Sequence, residues 1–360
     1  MVRRIFKLVA FLFGFILFTA LAAVGAFLYC NGPPAFSPDL IKDQDGISLD
    51  SESTGENFFV RLELRRGESA QSVGQRLEAA GLIRSRYFWY LLCRYDAEPI
   101  KNGAYLIEVP ASQIAIHRIL VSGKQILQRV TVPEGLTVRK IAKLMEEAGI
   151  CPADEFLAAA SDSSLTELYQ IPGSGMEGYL YPDTYLFPPA YPAARVIQTM
   201  ADTFFSRINS IDERVASMTP DELNQLVILA SIIEREYRLD EEAPIMAGVF
   251  LNRMNIRMAL QSCATVEYVI TEIQGRPHPD ILLTRDIEIR DPYNTYIRPG
   301  LPPGPICSPG STALKAVFSP IKSNYLYFRL ADTDSGKHYF SQTLDDHIKA
   351  GRLYLKGTSR

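Results

Sequence analysis

One acidic residue of this chain occupies a position where proteins seldom place a charge. Residues 226–236 predict a helix, and at about 100° per residue Glu234 shares one face of it with the apolar residues Leu223, Val227 and Ala230. We expect this face to point inward. Burial disfavours a charged carboxyl group and can raise its pKa to roughly 6 to 7, which suits a general acid at neutral pH. The plainer alternative is a glutamate that pairs with an arginine and has no chemical role.

The second acid at the end of this helix, Glu236, is predicted to face solvent. It lies about 200° further round the helix than Glu234. It is therefore grouped with Arg235 and the acidic residues 240–242 on the polar side. Of the two acids, only Glu234 is in an unusual environment.

Three loop-like segments could complete a site around such an acid: residues 260–266, 291–296 and 300–306. They are rich in amide, hydroxyl and phenol groups, which hydrogen-bond to sugars, and their tyrosine rings can stack on the apolar faces of a glycan. Prolines stiffen the last segment, so little entropy is lost when a ligand orders it. The pattern favours a glycan as ligand.

The elements that must position this site include a repeated strand–turn–helix unit. The first copy runs from Leu64 to Leu82 and the second from Val132 to Ile150, with Ser69 and Thr137 as predicted helix caps. We assign residues 58–171 to a tandem module of this kind. The second copy resembles a LysM module, a fold associated with polymers that contain N-acetylglucosamine. The alternative is a packing module that only positions the C-terminal part of the chain.

The N-terminal residues predict a membrane anchor. Residues 8–29 carry no charge, and about 22 residues that rise 1.5 Å each give roughly 33 Å, enough to cross a bilayer. Arg3, Arg4 and Lys7 precede this stretch, so the positive-inside rule places residues 1–30 with their N-terminus in the cytoplasm. A cleaved signal peptide is the alternative, although the apolar stretch is longer than is usual for one. Residues 31–57, rich in Pro, Ser and acids, are predicted to form a linker.

Composition excludes some classes of protein. A chain of 360 residues with 47% hydrophobic residues can fill two or three domains. The net charge of −4, the lack of a basic domain and the lack of zinc-finger spacing argue against a nucleic-acid partner.

The cysteines and histidines show no metal-binding pattern. The five cysteines form no CxxC pair and the four histidines no HExxH pair, so neither a metal nor another cofactor is indicated. Outside the cytoplasm a disulfide between Cys263 and Cys307 is an option, but spacing alone does not determine connectivity.

Several motifs, in the same order along the chain, resemble those of the YceG-like endolytic murein transglycosylases, often called MltG. Besides the anchor and the LysM-like region, they comprise residues 177–185, 229–236, 249–253, 260–262, 293–296, 300–306, 325–328 and His338. The resemblance covers nearly the whole chain. It departs at Cys263 and Ala264, where many relatives have Asp-Pro, so a role that depends on an acid there cannot be transferred.

The resemblance implies roles for particular residues. Glu234 occupies the position of the family's catalytic glutamate. Six residues match positions expected to line the glycan cleft: Gln261, Ser262, Thr265, Tyr293, Asn294 and Glu177. Each could instead hold loops together, and Glu177 could be only a structural acid.

The resemblance also implies a fold and a reaction. The fold is α+β, with an N-terminal transmembrane helix, a LysM-like α/β module and, at residues 172–360, a mostly helical, lysozyme-like catalytic domain with long loops. The reaction is cleavage of the β-1,4 bond between N-acetylmuramic acid and N-acetylglucosamine in peptidoglycan, which leaves a 1,6-anhydro end and terminates glycan elongation. The expected location is the bacterial inner (cytoplasmic) membrane, and the expected partners are peptidoglycan synthases (penicillin-binding proteins).

Two other functions stay open from the sequence. A hydrolase needs a second carboxylate, about 5 to 5.5 Å from the acid in retaining enzymes or about 6.5 to 9.5 Å in inverting ones. The acids available for it are Glu177, Glu241 and Glu267. A membrane-tethered glycan-binding scaffold needs no acid, and replacing Glu234 by Gln would leave it unaffected.

Overall fold

The structure is a computed structural model that describes residues 2–41, 45–50, 58–65, 67–96, 98–173 and 175–354. The chain forms two compact units, residues 1–127 and 128–360. Both units contain helices and strands, which confirms the predicted mixture of the two. The boundary predicted between residues 171 and 172 lies inside the second unit.

The first unit is built around a small antiparallel sheet. Its helices and strands are α1 (Val2–Asn31), β1 (Ile47–Leu49), β2 (Phe58–Leu64), α2 (Ala70–Ala79), α3 (Arg86–Tyr95), β3 (Gly103–Val109) and α4 (Gln113–Ser122). The strand order is β1-β2-β3. Because successive strand residues point to opposite faces, Val60 and Leu62 of β2 are both fully buried, and they join Trp89 of α3 in one core.

Part of the segment predicted to be a linker belongs to this unit. Strand β1 pairs with β2, and a 3-10 turn at Pro38–Ile41 precedes it. The side chains of Ile41 and Ile47 are buried in the core, and this burial of apolar area explains why the segment is structured. Residues 42–44 and 51–57 of the predicted linker lie outside the described residues.

Helix α1 agrees in length and composition with the predicted anchor. Its 21 residues Phe11–Asn31 are long and apolar enough to cross a membrane, and none of the most apolar stretch is buried inside the protein. A signal sequence passes the same criterion.

The second unit carries the predicted site. Its helices and strands are β4 (Gln128–Thr131), α5 (Val138–Glu147), α6 (Ala153–Ala160), α7 (Ser163–Leu168), β5 (Thr184–Phe187), α8 (Ala193–Ile211), α9 (Pro220–Glu236), α10 (Ala243–Asn255), α11 (Cys263–Tyr268), α12 (Thr284–Ile287), α13 (Ser311–Phe318), β6 (Tyr327–Leu330), β7 (His338–Ser341) and α14 (Leu344–Tyr354). Strands β4 and β5 form one antiparallel pair, and β6 and β7 form another.

One hydrophobic core joins the second strand–turn–helix copy to the helix that carries Glu234. Ile141 of α5 is fully buried in the same cluster as Val227 and Ala230 of α9. Both predicted helix caps are confirmed, since the hydroxyl groups of Ser69 and Thr137 each accept a hydrogen bond from the amide three residues later. The two copies therefore have similar local structure but belong to different units.

Candidate active site

Helix α9 presents its C-terminal end to the candidate site. Its start is stabilised by a capping box, in which Thr219 and Glu222 each accept a hydrogen bond from the other's backbone amide. Pro220 takes the first helical position, where a missing amide costs nothing. The predicted inward face is confirmed, because Val227 and Ala230 are fully buried.

The Glu234 carboxyl group is half-buried at the end of this helix and has one fixed partner. The Gly310 amide donates a hydrogen bond to its Oε2 atom at 2.9 Å. Burial raises the pKa of Glu234 to about 7, and the charges of Glu134 and Asp240 act in the same direction. The Gly310 amide and Arg235 lower this pKa, but by less than burial raises it. Glu234 can therefore both donate and accept a proton near neutral pH.

A second carboxylate, Glu134, lies at the same helix start as Glu234. The Ser311 amide donates to Oε1 of Glu134 at 3.3 Å, next to the Gly310 amide that serves Glu234. Helix α13 begins here without a side-chain cap of its own. The unpaired amides of a helix N-terminus and the helix dipole favour negative charge. Gly310 leaves room for Glu134, because a Cβ at position 310 would overlap its carboxylate.

Glu134 is not among the acids predicted from the sequence to be available beside Glu234. Those acids are Glu177, Glu241 and Glu267. Glu134 lies in the turn of the second strand–turn–helix copy, directly before Gly135, and a single acid in a turn gives no periodic signal. Only the core shared by α5 and α9 brings this turn to Glu234.

Two tyrosines lie beside this pair of acids. Tyr237 directly follows α9 and lies near Thr312, while Tyr181 lies near Ser311. Burial raises the pKa of both phenols, and the charge of Glu234 further raises that of Tyr237. Both therefore remain neutral hydrogen-bond donors at physiological pH.

The prediction that Glu236 and Glu242 face solvent is wrong. Glu236 is half-buried and accepts a hydrogen bond from the Ser262 hydroxyl, and burial raises its pKa. Glu242 is buried, with Oε2 2.7 Å from Nδ1 of His338. The angular position of Glu236 would leave it exposed on an isolated helix, but in the folded chain the loop before α11 supplies its partner Ser262, and strand β7 supplies the partner of Glu242, His338.

Three of the predicted cleft residues are buried and hold loops together. The Ser262 amide donates to the Thr295 hydroxyl at 3.1 Å, and the Thr265 hydroxyl is 2.9 Å from the same oxygen. The side-chain amide of Asn294 donates to the carbonyl oxygens of Ile287, at the end of α12, and Ile289, at 2.9 and 2.8 Å. These contacts match the alternative role considered for Ser262, Thr265 and Asn294.

Gln261 and Tyr293 have side chains that remain open to solvent. Gln261 is exposed and has a φ of +51°, an uncommon conformation for a residue with a side chain. Its backbone amide donates to the Thr295 carbonyl oxygen at 3.0 Å, and this hydrogen bond does not involve the side-chain amide. Tyr293 is half-buried, with its ring centroid 5.0 Å from that of Tyr268. Strained backbone of this kind is concentrated at functional sites.

Glu177 sits at the start of α5. Both of its carboxylate oxygens lie 3.2 Å from the Val138 amide, and it is half-buried. Burial raises the pKa of Glu177 to about 8. Of the other two acids named beside Glu234, Glu241 is exposed and Glu267 pairs with Arg235 at 3.3 Å.

A cavity of about 580 Å³ opens beside the end of α9. Its lining includes Glu236, Gln261, Cys263, Tyr296, Arg235, Arg238, Arg253 and Arg329. The four arginines outnumber Glu236, which is the one acid among the described residues of the lining, so the cavity favours an anionic or strongly polar ligand. Its volume is in the range of ordinary ligand sites.

The cysteines are free thiols. Cys263 Sγ lies 3.1 Å from the Tyr296 hydroxyl, and Cys307 Sγ lies 3.3 Å from the Ser231 carbonyl oxygen, so the optional disulfide does not form. Within the part of the chain that the structure describes, no group of three or more His, Cys, Asp or Glu side chains could hold a metal.

A model of the YceG-like family matches residues 62–352, which is most of the chain. The chain belongs to the YceG-like family. The resemblance inferred from the motifs is thereby confirmed.

Two relatives are similar to this chain over most of its length. The endolytic murein transglycosylase of Streptococcus pneumoniae is 28% identical over 369 residues, which cover 94% of this chain and 64% of that protein. The endolytic murein transglycosylase of Bacillus subtilis is 28% identical over 348 residues, which cover 92% and 90%. This chain therefore spans 64% of the length of the streptococcal relative.

A solved YceG-like structure has a related fold. The crystal structure of a YceG-like protein from Listeria monocytogenes matches with a TM-score of 0.54 and 29% sequence identity, over 81% of this chain and 98% of that one.

Proposed function

We propose that this chain is an endolytic murein transglycosylase. It cleaves the β-1,4 bond between N-acetylmuramic acid and N-acetylglucosamine in nascent peptidoglycan strands and leaves a 1,6-anhydro end. Membership of the YceG-like family and the names of two relatives support the reaction class. The observation that carries the proposal is Glu234, a half-buried carboxyl group whose pKa of about 7 suits proton transfer in both directions.

Glu234 performs both proton transfers. Because Oε2 accepts the Gly310 amide, Oε1 holds the proton and gives it to the glycosidic oxygen as the bond to C1 breaks. The C6 hydroxyl oxygen of the same sugar then bonds to C1, and its proton passes to Glu234, which regains its starting state. No water is consumed, so the reaction needs one carboxyl group. The Gly310 amide stabilises the carboxylate that exists between the two transfers.

The cavity beside α9 is a suitable place for the polar groups of a strand. Gln261 contributes an exposed amide and Tyr296 a phenol to its lining. Its arginines suit the carboxylates of the peptides that peptidoglycan strands carry. We assign glycan contact to Gln261 and Tyr293, whereas Ser262, Thr265 and Asn294 act through the loops that they hold in place.

The position of Glu134 supports one alternative reaction, hydrolysis. A second carboxylate beside the general acid is what a hydrolase requires, and Glu134 meets the amide next to the one that serves Glu234. In a hydrolase of this kind, Glu134 activates water or attacks C1, and the product gains a full water molecule.

The finer architecture belongs to the same proposal. The second strand–turn–helix copy is a LysM-like module that binds or positions the strand, and the helices around Glu234 form a lysozyme-like catalytic domain. Helix α1 anchors the protein in the bacterial inner membrane with its N-terminus in the cytoplasm. Peptidoglycan synthases of the penicillin-binding class are its partners, because cleavage beside the membrane terminates the strands that they make.

Mass spectrometry of the products tests the reaction. The full chain in detergent is incubated with uncrosslinked peptidoglycan strands, beside Glu234→Gln and the control Glu241→Gln, which replaces an exposed acid. We expect fragments one water lighter than hydrolytic products from the wild type and from Glu241→Gln, and none from Glu234→Gln. Full-mass reducing ends would identify the hydrolase instead. Strand binding without cleavage by the wild type would identify a scaffold.

A further inference from the structure

Helix α3 in the first unit exposes an unusual set of large side chains. Tyr87, Leu91 and Tyr95 are spaced four residues apart and so lie on one face, with exposures of 71%, 60% and 95%. We call these three residues the α3 outer face. Trp89, on the opposite side, is fully buried, and its Nε1 atom donates to the Ala70 carbonyl oxygen at 3.0 Å. The helix is therefore held firmly by the core while its outer face remains exposed.

The same helix contacts the candidate membrane span. The rings of Phe88 and Phe27 meet edge to face with centroids 5.5 Å apart. Just before α3, the Arg84 guanidinium lies 4.9 Å from the ring centroid of Tyr29 and donates to the Pro33 carbonyl oxygen at 2.8 Å. These contacts join the last turns of α1 to the start of α3.

A third contact secures α1 to the first unit from another element. The side-chain oxygen of Asn31 accepts a hydrogen bond from the Ile114 amide of α4 at 3.0 Å. The end of the span is therefore held by two different helices of the unit, and its position beside α3 does not depend on one ring contact.

The contact with Phe27 sets the depth of α3. Phe27 lies four residues before the end of the Phe11–Asn31 span, and at 1.5 Å per residue this is about 6 Å below that end. Helices that lie in a membrane interface insert about 5 to 10 Å. A bilayer that surrounds α1 therefore reaches the level of Phe88.

We propose that the α3 outer face lies in the interfacial layer of the bilayer that α1 crosses, on the side that carries the rest of the chain. This inference rests on the proposed membrane anchor. Tyrosine is enriched at membrane interfaces because its ring is apolar and its hydroxyl is polar. Helix α3 also contains Arg86 and Arg94 and no acid, so it suits a surface of anionic phospholipids. The first unit is thus held against the membrane by two helices instead of one.

Photocrosslinking in proteoliposomes tests the proposal with the full chain. The photoreactive residue p-benzoylphenylalanine replaces Leu91 in one protein, Phe18 of the span in a second and Leu168 of the second unit in a third. Phe18 and Leu168 are 70% and 62% exposed, so all three positions are matched in accessibility. The vesicles contain phosphatidylethanolamine and phosphatidylglycerol, and lipid adducts are measured by mass spectrometry after irradiation.

We expect lipid adducts at positions 91 and 18, with a yield on the order of tenfold above that at position 168, because only the first two lie in lipid. Adducts at position 18 without adducts at position 91 would overturn this inference and leave the anchor intact. Adducts at position 91 to a second copy of the chain would also overturn it. No lipid adduct at position 18 would overturn the anchor, and this inference with it, while the cleavage assay on strands would be unaffected.

Discussion

Glu234 and Glu134 accept hydrogen bonds from neighbouring amides of one helix start, and the charge of Glu134 raises the pKa of Glu234. Burial contributes more to this shift than the neighbouring charge does. Glu234 is half-buried and Glu134 is exposed, so we expect Glu234 to carry the proton and Glu134 to act as a positioning residue. Glu234→Gln and Glu134→Gln should therefore have different effects.

Glu234→Gln should stabilise the protein more at about pH 8 than at about pH 5. The folded-state pKa of about 7 lies above the usual 4.5, so the stability gained from the bound proton is present below pH 4.5 and is lost as the pH rises through 7. A shift of this size corresponds to at most about 3 kcal/mol in the free energy of unfolding. Glutamine has no proton to lose. Urea unfolding of both proteins at the two pH values measures the difference, and equal differences would contradict the prediction.

Glu134→Gln should lower the pKa of Glu234, because it removes a neighbouring negative charge. In a transglycosylase the decline of kcat/KM at high pH should then begin at a lower pH, while cleavage persists at acidic pH. The measurement is kcat/KM against pH, with Glu147→Gln on the exposed side of α5 as the control. An unchanged profile would refute the coupling, and loss of cleavage at every pH would favour the hydrolase.

At the scale of elements, the site depends on how three helices meet. The end of α9 brings Glu234, the turn before α5 brings Glu134, and the start of α13 supplies the amides for both. Gly310 is the point where they converge, since a side chain there would overlap Glu134. Its φ of −86° and ψ of −177° are accessible to any residue, so the glycine is needed for space and not for backbone conformation.

Gly310→Ala should therefore act through Glu134 and leave the fold intact. The added methyl group displaces the exposed Glu134 carboxylate from the Ser311 amide, so we expect the same direction of change in the pH profile as for Glu134→Gln. Circular dichroism checks the fold and kcat/KM against pH checks the effect. Gly175→Ala is the control, because its Cβ would meet only the Ala160 carbonyl oxygen, at 3.4 Å. A pH profile for Gly310→Ala identical to that of the wild type would contradict the prediction that the methyl group displaces the effect of Glu134.

At the scale of the whole molecule, the two copies of the strand–turn–helix repeat have different structural roles. The first copy packs into the core of the first unit with Trp89. The second copy packs against α9 and brings Glu134 to the site. Similar local sequence thus belongs to two separate cores, and the consequences of damage to each core should differ.

Ile141→Ala should lower the temperature at which cleavage activity is lost, and Ile116→Ala should leave that temperature unchanged. Both isoleucines are fully buried, Ile141 in the core shared with α9 and Ile116 in the core of the first unit. Each substitution should cost about 2 to 5 kcal/mol of stability in its own unit, because it leaves a cavity. Cleavage measured over a temperature series is the test. An equal loss of heat resistance in both variants would show that the two units unfold together.

The sequence by itself determined the features that depend on local periodicity. The helix of Glu234, its inward face, the caps at Ser69 and Thr137 and the long apolar helix α1 all follow from residues close together in the chain. Tertiary structure alone decided the burial of Glu236 and Glu242 and the arrival of Glu134 beside Glu234. It also decided that the second repeat packs with α9. These features arise from contacts between distant segments, and the angular position of a residue on its own helix carries no information about which segment will cover it.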